Sequence, residues 1–144
     1  MSHCRQEDFI DAPVERVWEL IADVEHHPDW WPRVLQVRID NPIEGATYRQ
    51  LTRTPRGEDE MQLLIESREE LRNLRIRCLT TGTFVRFRLT EAQGGTFVVA
   101  EMGLEPQGLW DRVLDAVAGK RYFTSWMHAT MDALRRAASE RVPS

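Results

Sequence analysis

Cysteine is scarce in this chain. Only Cys4 and Cys78 are present, and no CxxC pair exists. That removes zinc ribbons and dithiol redox motifs, and no disulfide framework is expected. No signal-peptide pattern opens the sequence, so a reducing cytoplasm with two free thiols is the expectation. No apolar run approaches the roughly 20 residues that a membrane-spanning helix needs. Positive charge is not in excess either: the formal net charge is −4. A mildly acidic domain lacks the electrostatic footprint of a nucleic-acid binder. There is no repeat, low-complexity tract or linker, and no phosphate loop, nucleotide fingerprint or metal motif. No cofactor is implied. The sequence permits a homodimer without arguing for one.

What is present suits a globular domain. The 144 residues contain 42% hydrophobic and 29% charged residues, so a single domain over residues 1–144 is expected. Residues 4–11 read as a polar-rich opening strand. Pro13 suits a first helical turn, with Asp11 as its expected cap. Val14, Val17, Trp18, Ile21 and Val24 then fall at helical spacing. Pro28 disfavours helix at His27, so this helix should stop near Glu25, and Pro28 and Pro32 should bracket a single helical turn.

After Pro32 the period becomes two. Strands are predicted over 34–40, 46–54, 60–67, 72–80, 83–90 and 96–104, with turns at 41–45, 55–57 and 82 and a hairpin at Gly94-Gly95. Short strands with no helices between them imply antiparallel pairing. A long helix is predicted from about Gln107 to Ser139. Leu109, Val113, Phe123, Met127, Met131, Leu134 and Ala138 form its apolar stripe, and a kink is expected near Gly119. The fold class is therefore α+β: a twisted seven-stranded antiparallel sheet, two short helices between strands 1 and 2, and one helix long enough to cover the concave face. A cavity between sheet and helix is the expected consequence.

The run HHPDWWP, residues 26–32, invites a metal or catalytic reading. Adjacent histidines point apart, His3 and His128 have no ligand-like spacing to them, and no nucleophile, base and orienting group are visible together. The reading preferred is structural: one tryptophan packs between the small helices and the sheet edge, and the other lines the cavity mouth.

The stretch from Ile10 to Ile39, with Ala12-Pro13, Val17-Trp18 and the Pro28-x-Trp30-Trp31-Pro32 block, resembles the opening fingerprint of the SRPBCC superfamily. Gly45, TGTFVRFRL in the 80s, GGTFVV in the 90s and LEPQG before the long helix continue the resemblance over nearly the whole chain. That superfamily includes steroidogenic-acute-regulatory-type (START) lipid transfer domains, birch-pollen-allergen-like proteins and polyketide cyclase/dehydrases. The resemblance implies the helix-grip fold, with a ligand held between the concave sheet and the long helix.

Ligand-wall candidates on that basis are Trp31, Tyr48, Trp110, Leu114, Val117, Tyr122 and Trp126, with Arg121, Ser125 and His128 also on the long helix. Acid/base candidates are Glu101, Tyr122, His128 and Arg68. Strand alternation sets Tyr48, Gln50 and Thr52 on one face of their strand, and Arg86 and Arg88 are expected on the solvated face of theirs. The superfamily's polyketide aromatase/cyclases use a cavity arginine and a tyrosine. Arg68 matches the arginine across a small gap, and Val34, which has no hydroxyl, stands at the tyrosine position. Three functions follow in order: a carrier or sensor of a small hydrophobic or aromatic molecule, a cyclase/aromatase/dehydratase-type enzyme using the same cavity, and a protein-interaction module with an exposed apolar patch.

Overall fold

The computed structural model describes residues 3–54, 57–104 and 120–139. The chain runs β1 (His3–Ile10), α1 (Val14–Ala22), a 3₁₀-helix (Val24–Asp29), β2 (Val34–Arg38), β3 (Thr47–Thr54), β4 (Gly57–Glu69), β5 (Asn73–Cys78), β6 (Thr83–Ala92), β7 (Gly95–Leu104) and a C-terminal helix, here α2 (Lys120–Ser139). All seven strands join one sheet in the order β1-β7-β6-β5-β4-β3-β2. Every neighbouring pair is antiparallel. This is the antiparallel sheet with a terminal helix that the alternating strands predicted, and the helix-grip fold that the resemblance implied.

Alternation decides the layers. Leu63 and Ile65 on β4, Leu74 and Ile76 on β5, Phe87 on β6 and Met102 on β7 are all buried on the concave face. The apolar stripe of α2 packs into the same core: Met127, Met131 and Leu134 have no solvent exposure. Each such side chain contributes about 1.5–3 kcal/mol by leaving water. Polar ties fix the helix laterally. Arg135 on α2 pairs with Asp8 on β1, and Arg16 on α1 donates to the Ala137 carbonyl at 3.1 Å.

Three local expectations are revised. Asp11 does not cap α1; Pro13 occupies the cap position, without a side-chain hydrogen bond. The α-helix ends at Ala22, and the following turn is a 3₁₀-helix that contains Pro28 instead of being bracketed by it. The i→i+3 pattern loses one N–H to proline without the clash that an α-helix interior would impose. The β6–β7 turn is Gln93-Gly94, both with positive φ (51° and 79°), while Gly95 already pairs with Ala92. That geometry is the type I′ turn favoured by hairpin twist. Gly95 is needed for another reason: a Cβ there would lie 2.7 Å from the Ile10 carbonyl oxygen and strike the Phe9 ring.

Two bulges reset the alternation. β2 gains Leu35 between the pairs of Val34 and Gln36, and β4 gains Glu66 between those of Ile65 and Ser67. After the second bulge Arg68 stands opposite Leu74, a concave-face residue.

Candidate functional site

The histidines of HHPDWWP do diverge. His26 is exposed and its Nδ1 lies 2.7 Å from Asp23, whose hydrogen bond and charge raise the histidine above its ordinary pKa. His27 is buried, with Nε2 2.7 Å from the Ile21 carbonyl. A carbonyl only accepts, so Nε2 carries a proton. Burial lowers its pKa to about 4, against a smaller raising effect of that hydrogen bond.

The two tryptophans stack, 5.4 Å apart and 12° from parallel. Trp31 is buried and also meets Phe87 edge-on at 5.5 Å and Trp126 at 6.1 Å. Their indole N–H groups act as three pins. Trp31 donates to the Thr130 hydroxyl at 2.9 Å, Trp126 to the Pro32 carbonyl at 2.9 Å, and Trp30 to the Leu20 carbonyl at 3.0 Å. HHPDWWP thus locks the 3₁₀-helix onto α1, α2 and the concave sheet. Thr130 was not recognised from sequence, because nothing in a helical pattern marks it as the partner of a residue 99 positions away.

Beyond this cluster the concave face is apolar with a few polar atoms set into it. Tyr48 lies opposite Leu63, which pairs in turn with Cys78. Its ring is buried and its hydroxyl meets no partner. Burial above all, and the nearby Cys78, raise its pKa, so it remains a protonated donor. Two residues along β3, the Gln50 amide donates to the Thr52 hydroxyl at 2.9 Å, both side chains buried. At the other end of β4 the Arg68 guanidinium lies over the Trp18 ring, 5.4 Å from its centroid. Arg68 reaches Glu70 at 3.1 Å through Nη1, but its Nε and the Trp18 Nε1 are buried and unpartnered. Cys4 and Cys78 are free thiols, Cys78 buried.

A polar groove of about 460 Å³ crosses the β2–β3 side of the sheet, with Glu25, Val37, Ile39 and Tyr48 in its wall. No group of three His, Cys, Asp or Glu side chains suited to a metal occurs among the described residues. Nor is any described helix long and apolar enough to cross a membrane.

The structure sorts the remaining sequence candidates. Trp31, Tyr48 and Trp126 are buried and belong to the interior, with Arg68 at its rim. Glu101 alternates with buried Ala100 and Met102, so it faces the convex side, in register with Arg5 and Arg86. His128 and Ser125 are exposed on α2. Arg121 and Tyr122 belong to α2, with side chains outside the described set, and Trp110, Leu114 and Val117 lie outside the described residues.

This geometry, a curved sheet gripping a terminal helix, has counterparts. Residues 1–139 match the family model described as polyketide cyclase/dehydrase and lipid transport. The chain belongs to this family. Solved structures agree on the fold. The protein XoxI from Bacillus cereus is 18% identical, with 96% of each chain covered and a TM-score of 0.71. The di-domain ARO/CYC BexL is 19% identical over 97% of this chain, with a TM-score of 0.71; this chain spans 50% of that protein. Ara h 8.0201 is 14% identical, covering 92% of this chain and 96% of its own, with a TM-score of 0.63. No curated protein matches the sequence.

Proposed function

We propose that this family member binds a small hydrophobic or aromatic molecule between the concave sheet face and the C-terminal helix, as a carrier or sensor. The observation that carries this reading is the presence of buried polar atoms, Trp18 Nε1 and Arg68 Nε, without partners at the edge of a largely apolar interior. Buried donors are normally satisfied, and an unsatisfied one costs about 1–3 kcal/mol. A ligand that enters along the apolar wall and offers an acceptor recovers that cost. The direct test is native mass spectrometry of the purified protein, followed by extraction and identification of what it retains. A bound apolar or aromatic molecule supports the reading. A ligand-free mass, together with no binding of aromatic probes by fluorescence titration, overturns it.

A second reading is favoured by the bulge at Glu66, which turns Arg68 to the side of Leu74. In a cyclase/aromatase/dehydratase-type reaction, a guanidinium held there would stabilise the negative charge that develops on a substrate carbonyl during enolisation. Incubation with a linear poly-β-ketone thioester tests it. Faster or redirected ring closure that is lost in Arg68→Met, with the fold intact, supports catalysis; a product profile equal to the uncatalysed one rejects it.

A further inference from the structure

Tyr48 is a second polar feature of the interior, and it lies away from Arg68. From Leu63, its cross-strand partner, to Arg68 is five residues along β4, or about 15 Å at normal strand rise. Its ring is only 3% exposed, yet its hydroxyl has no partner. The neighbouring polar side chains do not serve it, because the Gln50 amide is directed to Thr52. A phenylalanine would fill the same volume without burying an unsatisfied O–H. Tyr48 is also part of the wall of the groove beside β2 and β3. A buried hydroxyl kept at this cost, on a residue that borders an opening, has the properties of a recognition group and not of a packing group.

We propose that Tyr48 is a specificity-determining residue whose hydroxyl donates to an oxygen acceptor on the bound molecule. The ligand is then a molecule that carries an oxygen acceptor, and not a plain hydrocarbon or alkyl chain. This rests on the ligand-binding reading above and narrows it. A hydrocarbon of the same shape leaves the O–H unpaired, so discrimination comes from that one bond.

The test uses a matched pair of probes, fluorenone and fluorene, which differ by one carbonyl. The full chain and its Tyr48→Phe variant are titrated with each. The ratio of fluorenone to fluorene affinity should fall about tenfold on substitution, while fluorene binding stays the same. The carbonyl stretch of bound fluorenone should shift to lower frequency in the wild type and return in Tyr48→Phe. The ligand-free variant should melt no lower than the wild type, since it loses no internal hydrogen bond. If both probes bind and the ratio and the carbonyl frequency are the same in the two proteins, the role of Tyr48 is overturned and the ligand-binding reading stands. If Tyr48→Phe melts clearly lower, the hydroxyl has a partner in the empty protein, and the inference fails. If neither probe binds the wild type and its native mass is ligand-free, the ligand-binding reading falls and takes this inference with it; if neither binds while another ligand without an oxygen acceptor is retained, the inference fails and the reading stands.

Discussion

On β5, Leu74, Ile76 and Cys78 are buried in the concave face, while Arg75 and Arg77, one position along, face outward and share the carboxylate of Glu66. The two faces of one strand solve different problems. Inside, side chains pack without water, and each polar atom must be paired or be kept for a function. Outside, charges are paired at the surface: Arg77 is 2.6 Å from Glu66, and Arg86 donates to Asn73 at 3.0 Å. Partial burial acts to raise the Glu66 pKa, but the bonds from Arg75 and Arg77 outweigh it, so the carboxyl sits below its ordinary value. Even the convex Phe84 is buried, with the Arg75 guanidinium 4.4 Å over its ring. The lesson is that unpaired polar atoms on the concave side carry information that the many charges on the convex side do not.

That contrast can be broken experimentally. The largest effect is expected at the aromatic centre. Trp31→Ala removes a buried indole, its stack on Trp30 and its bond to Thr130, and should cost about 3–5 kcal/mol in denaturant unfolding. A loss under about 1 kcal/mol would mean that the HHPDWWP run is not a structural pin.

Next is the pH dependence of His27. Its folded pKa is about 4, below the 6.5 of an exposed histidine. Between these values the unfolded chain binds a proton that the folded chain does not, so stability rises with pH there. The contribution is complete above about pH 6.5 and is lost as pH falls toward 4, a change of about 3 kcal/mol from this residue. Unfolding measured across that range should show the slope, and His27→Gln should remove it. A slope that survives the substitution would place the titration elsewhere.

A smaller effect is expected where β1 and β7 meet. Gly95→Ala drives a methyl group toward the Ile10 carbonyl and the Phe9 ring, with an expected cost of about 1–3 kcal/mol. An unchanged melting temperature would show that this edge yields freely. The smallest effects belong to the convex face. Glu101→Gln should cost less than about 1 kcal/mol, diminish further in high salt and leave probe binding unchanged. If it instead abolished binding, the division between the faces would be wrong.

Much of this was legible in the sequence. The 3.6-residue spacing of Met127, Met131 and Leu134 marked the face that α2 buries, and the alternation of Val85, Phe87 and Leu89 marked the concave side of β6. Tyr48, Gln50 and Thr52 were placed on one face of their strand, but period two alone does not say which face points inward. Two residues are set by features that local spacing does not carry. Arg68 faces the interior only because the Glu66 bulge shifts the phase, and a bulge leaves no clear local mark. Glu101 drew attention as an acid in an apolar strand, yet its register between Arg5 and Arg86 gives it an ordinary convex setting.

The sequence by itself determined the strands, their antiparallel pairing and the apolar stripe of Met127, Met131, Leu134 and Ala138 on the last helix. These depend on spacing within a segment, and spacing is a local property. Tertiary structure alone decided that Trp31 would bond to Thr130, that Arg68 would lie over Trp18, and that the Tyr48 hydroxyl would be left without a partner. Such facts depend on which distant segments meet in three dimensions and on what the space between them leaves unpaired, and no window of sequence contains both sides of those contacts.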